Sequence, residues 1–448
     1  MSEVRVPAWL AVLVAASLAL SPVAHATEAP VRLGFADAVR LAAGESPNVR
    51  LASLKEREMR AREGQARSVF LPQLSASASM NDRTFNILAL GISFPSIPGQ
   101  PGFEPLQGPV QAVDARLRIT QTLLDVASWQ KLRAARLGSQ VARSDRAGSD
   151  EGAAQQAGLA YLRAARASAA LDARTEDLRL AKELQALAEL QQQAGTAPGI
   201  DVTRARTQVA ASQGAMLVAR NVRDRTQLEL VRAIGADPAS HIELADTLSA
   251  ALGSNDAPED DAAVPFALEH RVDLRGEQAR LARARVERSA TSMERLPRVD
   301  VAADWGASGA HASDAIATRQ VAIAASVPLF DGLRRESRLS EQGAIVEQAV
   351  VRERDLTDAI ATDVRSALLD LSSGREQLAV AAERLSLAAQ ELAQARDRFE
   401  NGVAGNIEII NAQASLVRAR DADIEARYAV ASARVALARA AGAARTLR

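Results

Sequence analysis

The sequence contains no cysteine. That excludes disulfides, thiol nucleophiles and cysteine-based metal sites, and also a lipid-acylated N-terminus, which needs a cysteine at the mature start. Aromatic residues make up only 3% of the 448 positions, and alanine dilutes the large aliphatics, so a thick globular core is not expected. Charge is balanced, with 54 Lys and Arg against 55 Asp and Glu. Such a chain offers nucleic acid no electrostatic reason to bind. Histidine occurs at His25, His241, His270 and His311, singly and without metal-ligand spacing. There is no nucleophile–base pair, and Gly402-Val403-Ala404-Gly405 lacks the Gly-Lys-Ser/Thr of a phosphate loop. The residues point to a non-enzyme with no cofactor and no metal. Finally, no proline follows Pro328.

What that proline-free stretch holds is a heptad. Val364, Leu371, Leu378, Leu385, Leu392 and Phe399 fall seven residues apart, with Leu368, Ala382 and Ala389 four residues into their intervals. This 3–4 alternation is a seam for packing helix on helix, and the charges between (Arg375, Glu376, Glu383, Arg384, Glu391, Arg396, Asp397) keep the remaining surface wet. One helix over 332–400 would be roughly 100 Å long. It meets a C-cap at Asn401-Gly402 and restarts at Asn406 into a second helix over 407–441, a very long hairpin.

The rest of the chain supplies different periods. Residues 1–26 read as a secretory signal peptide, with Arg5 before an apolar stretch from Ala8 to Leu20 and Ala24-His25-Ala26 as the cleavage site. The alternative, a membrane anchor, needs about 18 or more apolar residues, and this run is shorter. Spacing over 35–70 is helical with a break near Ser46-Pro47. After Leu71-Pro72-Gln73 the period becomes two: Leu74, Ala76, Ala78 and Met80 alternate with Ser75, Ser77 and Ser79. A proline- and glycine-rich loop follows and ends near Pro109. Val113, Ala115, Leu117 and Ile119 then face one side, and Asp114, Arg116, Arg118 and Thr120 the other. Helices over 128–193 and 201–234 come next, joined by Gly195-Thr196-Ala197-Pro198-Gly199.

An acidic connector over 237–264, with a short strand at 242–244, separates this unit from a second one. Leu71-Pro72-Gln73-Leu74 answers Leu296-Pro297-Arg298-Val299, and Leu123-Leu124-Asp125 answers Leu329-Phe330-Asp331. Asn48 precedes Pro72 by 24 residues, as Asp273 precedes Pro297; Gly195 to Gly235 spans 40 residues, as does Gly402 to Gly442. The chain is a tandem duplication: 27–236 with strands about 73–88 and 110–124, and 265–448 with strands about 298–309 and 317–330.

Strands apolar on one face and about 9–12 residues long have the dimensions of tilted bilayer-spanning strands. The competing reading is a pair of soluble hairpins half-buried on a domain, but no other apolar surface is available to cover them. Four strands cannot close a barrel, and open edges are not viable in lipid, so several chains must share one. The two-fold repeat, the Leu-Pro before each first strand and the Gly-initiated turn leading to Ile200-Asp201 and to Ile407-Glu408-Ile409 resemble the TolC family of outer-membrane efflux proteins across the whole mature chain. The resemblance implies a mainly α fold with membrane β: a homotrimer in which a 12-stranded β-barrel in outer-membrane lipid continues into a 12-helix periplasmic α-barrel. It also implies a passive exit duct of a tripartite efflux pump or type I secretion system, working with a periplasmic adaptor and an inner-membrane pump. A secreted periplasmic coiled-coil scaffold or adaptor without a pore is the alternative.

Channel chemistry resides in rings of charge at constrictions. The resemblance puts the inter-helix turns at the closed periplasmic end and makes Asp201, Glu408 and Asn411 the gate candidates. Asn411 stands where a second acid is found in the family, Phe399 where a tyrosine is frequent and Ala404 where an arginine can occur, so the family's Tyr/Arg clasp is not expected. The plainer role for Asp201 and Glu408 is to stabilise helix N-termini. Asp114, Arg116, Arg118, Asp300 and Asp304 are barrel-lumen candidates if the apolar partners face lipid; otherwise they are solvated polar faces. Phe85, Phe94, Phe103 and Trp305 are the candidates for an aromatic girdle.

Overall fold

A computed structural model describes residues 31–91, 104–248, 258–401, 403 and 405–447. The expected leader lies outside them, as do Phe94, Phe103, Gly402 and Ala404. The described elements run in the order β1 (Val31–Leu33), α1 (Phe35–Glu45), α2 (Pro47–Ser68), β2 (Gln73–Asn86), β3 (Leu106–Leu124), α3 (Val126–Gln193) and α4 (Gly199–Ile234). After these come β4 (Ile242–Leu244), α5 (Ala263–His270), α6 (Val272–Met293), β5 (Arg298–Gly309), β6 (Ile316–Ser326), α7 (Arg334–Glu400) and α8 (Asn406–Ala441).

The long helices end where the glycines stand. Gly195, Gly235 and Gly442 each adopt φ near +75°, a conformation that costs glycine nothing. Each closes its helix in one way: the next residue's N–H reaches back five positions, Thr196 to the Gln191 carbonyl, Ala236 to Val231 and Ala443 to Ala438. Val403 donates likewise to Arg398 at 2.8 Å after α7. At the other end of α7, Gly332 and Leu333 both take left-handed backbone, φ 69° and 64°, to turn the chain out of β6.

Four strands form one antiparallel sheet in the order β2-β3-β5-β6, leaving β2 and β6 as free edges. The four α-helices that adjoin the sheet in sequence, α2, α3, α6 and α7, all meet it at one end, and β2 leads into β3 and β5 into β6 at the opposite end. The register places Ser75, Arg118, Asp304 and Gln320 in one cross-strand row and Leu74, Ile119, Ala303 and Val321 in the next. Directly opposed residues share a face, so one face is polar and the other apolar. On the apolar face Leu74, Met80, Trp305, Val321 and Ile323 are exposed, and none of the described residues covers them. Strand limits differ from expectation by two residues at the end of β2, which stops at Asn86, by one at the start of β6, and by four at two places. β3 starts earlier, at Leu106, running through Pro109, and β6 stops at Ser326, two residues before Pro328, which has no N–H to give a ladder. The short β1, absent from the sequence reading, pairs in parallel with β4.

The helices are held at mid-length by two clusters. One packs Phe35, Val39, Tyr161, Leu162, Leu230, Ile234 and Val435; the other packs Leu274, Ile360, Val364, Leu371, Val430 and Leu437. Tyr161 is fully buried and accepts the Asp246 N–H at 3.0 Å; burial pushes its phenol up to about 12.

The α7–α8 seam is shifted from the expected register. Val364, Leu371 and Phe399 are buried as anticipated and Leu378, Leu385 and Leu392 are half-buried, but the alternating partners are Ala367, Gly374, Ala381, Ala388 and Ala395. Ala367, Ala381 and Ala388 fall one residue before Leu368, Ala382 and Ala389, and the last two are exposed. The reason is steric. A Cβ on Gly374 would lie 3.4 Å from a Val430 methyl, so the helices approach through their smallest side chains, and leucines would hold them apart.

Candidate channel sites at the helix tips and the strand face

The two helix-to-helix turns, from α3 to α4 and from α7 to α8, sit side by side at the far end of the rods. Phe399 is buried there with Leu184, Ala395, Ile409 and Ala412, and Val202 packs with Ala188 and Ala205. The two turns are tied directly. Asn406, only 4% exposed, donates its side-chain N–H to the Asp201 carbonyl at 2.9 Å, and Gln191 donates to the Phe399 carbonyl at 3.3 Å.

Asp201 is buried in the first turn of α4, its carboxylate 3.4 Å from Arg204. Glu408 lies in the first turn of α8, 3.0 Å from Arg398 at the end of α7. Asn411 is exposed. Each acid therefore has an arginine of its own, Arg204 for Asp201 and Arg398 for Glu408, and the two gate candidates are arginine-paired rather than bare carboxylates. Sequence reasoning missed Arg398 and Asn406. Arg398 had a signal, since it and Glu408 lie five positions on either side of Val403 in an antiparallel hairpin. Asn406 had none.

Farther up, α3 and α8 are bolted by charge. Asp177, 3% exposed, accepts from Arg420 at 2.6 Å and from Arg174 at 3.0 Å, and Arg174 also holds Asp421 at 2.6 Å. Near mid-length, Glu151 is buried and accepts the Ala444 N–H at 2.7 Å. Burial raises its carboxyl above the usual range, against the pull of that hydrogen bond and of Arg439 and Arg445.

On the polar face of the sheet, Arg116 joins Asp114 at 2.7 Å and Asp304 at 2.9 Å. It reaches Asp304 over Gly306: a Cβ at Gly306 would stand 2.8 Å from the Arg116 Cγ. Asp300 accepts from Thr122 at 2.8 Å and from Arg298 at 2.7 Å. Arg118 is exposed on this face and has no ion-pair partner among the described residues. Arg298 and Thr122 were missed, although Arg298 is two residues from Asp300 and so shares its face. The aromatics where strands meet helices were also missed. Phe70 and Trp129 pack at 5.1 Å between ring centroids, and Phe330 is 81% exposed.

The sequence profile of the outer membrane efflux protein family matches residues 38–236 and 264–443. The chain is similar to protein CyaE of Bordetella pertussis, 28% identical over 401 residues, covering 87% of this chain and 79% of that one. Its fold is similar to that of the Campylobacter jejuni CmeC outer membrane channel (TM-score 0.78, 16% identity, 91% of this chain and 85% of that one). It is also similar to the Vibrio cholerae outer membrane protein VceC (TM-score 0.74, 18% identity, 91% and 96%).

Proposed function

The chain belongs to the outer membrane efflux protein family, and on that footing we propose that three copies assemble into one exit duct, their twelve strands closed in the outer membrane and their helices paired around a periplasmic tunnel. It is an outer-membrane channel, not an enzyme, and its helical part stands in the periplasm. Substrates pass through it from an inner-membrane pump and a periplasmic adaptor, in a tripartite efflux pump or type I secretion system.

One observation carries the assembly. The four-stranded sheet has an uncovered apolar face and two unpaired edges, which lipid tolerates only when a barrel closes. The polar face, with Asp114, Arg116, Arg118, Asp300 and Asp304, then lines the lumen. At the other end Asp201, Glu408 and Asn411 line the aperture, and the Asn406–Asp201 and Gln191–Phe399 bonds hold it. Residues 1–26 act as the export signal, leaving Thr27 as the mature start; 27–236 and 265–448 are the two repeats, joined by the connector 237–264.

The test is to fractionate cells expressing the full chain, then run the extracted protein unheated and heated on a denaturing gel and reconstitute it in planar bilayers. A trimer from the outer membrane that conducts ions is the expected result. A non-conducting protein in the soluble periplasmic fraction would establish a scaffold instead.

A further inference from the structure

The apolar face of the sheet carries two charges. Over the paired strands it is built from Leu74, Ala76, Ala78 and Met80 on β2, from Val113, Ala115, Leu117 and Ile119 on β3, from alternate residues Val299 to Ala307 on β5, and from Val321, Ile323 and Ala325 on β6. The charges that interrupt it are Asp82 on β2, opposite Gln111 of β3, and Arg319 on β6, opposite Trp305 of β5. They have opposite sign, both are exposed, and neither has an ion-pair partner among the described residues. Each stands on a free edge of the sheet.

Within one chain they cannot meet. Following the register from Arg319 leads to Trp305, then Leu117, then Ala76, so the β2 residue in Arg319's own row lies six positions below Asp82. Closing a barrel removes that separation. β6 of one copy must pair with β2 of the next, and barrel closure demands a stagger between them. The stagger must be even, or the apolar faces would not match. It must also run toward the hairpin end: β2 continues to Asn86, whereas an equal shift the other way would set Arg319 opposite residue 70, before β2 begins.

We infer that β6 joins β2 of a second copy with a stagger of six residues, pairing Arg319 with Asp82 of the next copy on the lipid-facing side of each seam. This rests on the trimeric reading above. Six residues are about 20 Å of strand, gained over four strand spacings of about 4.8 Å, which corresponds to strands inclined by about 45°. The same stagger sets Val321 against Met80 and Ile323 against Ala78 on the apolar side, and Gln320 against Asn81 on the polar side. A stagger of four would leave Arg319 against Met80 and Asp82 against Ala317, two unpaired charges toward lipid. The pair sits near the hairpin end, next to Trp305, where the membrane edge tolerates charge better than its middle. It acts as a register pin: a slip by two residues separates the charges.

The absence of cysteine in the chain makes the test direct. Directly opposed strand residues have Cα separations of about 4.5–5.5 Å, within disulfide range. Asp82→Cys/Arg319→Cys, oxidised in intact outer membranes, should give covalent dimers and trimers on a non-reducing gel. Either single variant, and Met80→Cys/Arg319→Cys, should not. In parallel, Asp82→Arg and Arg319→Asp should each reduce heat-resistant trimer severalfold, and the double exchange should restore it. The detergent-extracted wild type is sized first. If it is not a trimer, the assembly itself falls and the seam with it. If it is a trimer but cross-links only through Met80→Cys, or if the double exchange gives no rescue, the six-residue pairing alone is overturned.

Discussion

Arg398 and Glu408 face each other across the α7–α8 turn, 3.0 Å apart, one on the last turn of the outgoing helix and one on the first turn of the returning helix. The acid at the proposed aperture is therefore neutralised by its own hairpin, and the field in a narrow passage depends on which partner is removed. Glu408→Gln should leave Arg398 uncompensated and move channel selectivity toward anions. Arg398→Gln and Asn411→Asp should each move it toward cations. Reversal potentials in a salt gradient measure all three. Coincidence of the three with wild type would leave Glu408 only its helix-terminal role, a few tenths of a kcal/mol.

Asn406→Ala removes a buried side-chain donor to the Asp201 carbonyl. Such bonds contribute roughly 0.5–1.5 kcal/mol, so thermal stability should fall only slightly while the time spent in the conducting state rises. Asn406→Asp keeps the shape but sets a buried carboxylate against the Asp201 carbonyl, so it should raise open probability at least as much and lower the Tm further than Asn406→Ala. Single-channel recording distinguishes this from general damage, because a merely structural bond would alter stability and leave open probability unchanged.

Along the strands Leu117 and Ile323 on the apolar face should respond oppositely to Asp300 on the polar face, with the ion-paired Arg116 as the exception on the polar face. Leu117→Arg or Ile323→Arg places a charge toward lipid, roughly 2–4 kcal/mol at the midplane, and should abolish trimers. Asp300→Ala should assemble. Arg116→Leu should assemble poorly, because it strips the shared partner from Asp114 and from Asp304, whose side chain is only 9% exposed. Heat-resistant trimer in outer-membrane fractions is the readout; equal tolerance on both faces would refute the lipid-facing assignment.

Glu151 carries a pH prediction. Its folded pKa lies above the ordinary value of 4.5, so the folded chain holds this proton more firmly than the unfolded one. Its contribution to stability is complete below about pH 4.5 and is lost as pH rises through the folded value. Glu151→Gln retains an acceptor for the Ala444 N–H and has no charge to bury. Its Tm should exceed that of wild type at neutral pH and converge with it in acid. A Tm difference that does not depend on pH would exclude this account.

The sequence carried the fold through its spacings. Equal intervals between glycines announced the duplicated helical hairpins, and the change from a helical to a two-residue period located the strands within a few positions. The seam register was less legible, because leucine is the obvious knob by hydrophobicity, whereas Gly374 and its neighbouring alanines win by allowing closer approach. Site residues were legible as positions but not as partners. Asp114, Arg116 and Asp304 could be assigned to one face by parity. That Arg116 holds both acids depends on the bare Cα of Gly306 opposite, a cross-strand relation invisible in a linear reading. The β1–β4 pair was half-visible, since three residues are too few for periodicity to declare β1.

The small-residue seam has a mechanical consequence. Each alanine or glycine tooth on α7 inserts only shallowly into α8, so cohesion is spread thinly along the rod and no single layer is decisive. Separating the last turns near Phe399 then gives up only the contacts of those turns, while the layers around Leu371 and Ile360 remain closed. A rod built this way can splay at its tip by degrees and re-close without passing through a loosened middle. Deep leucine layers would make the same movement all-or-none.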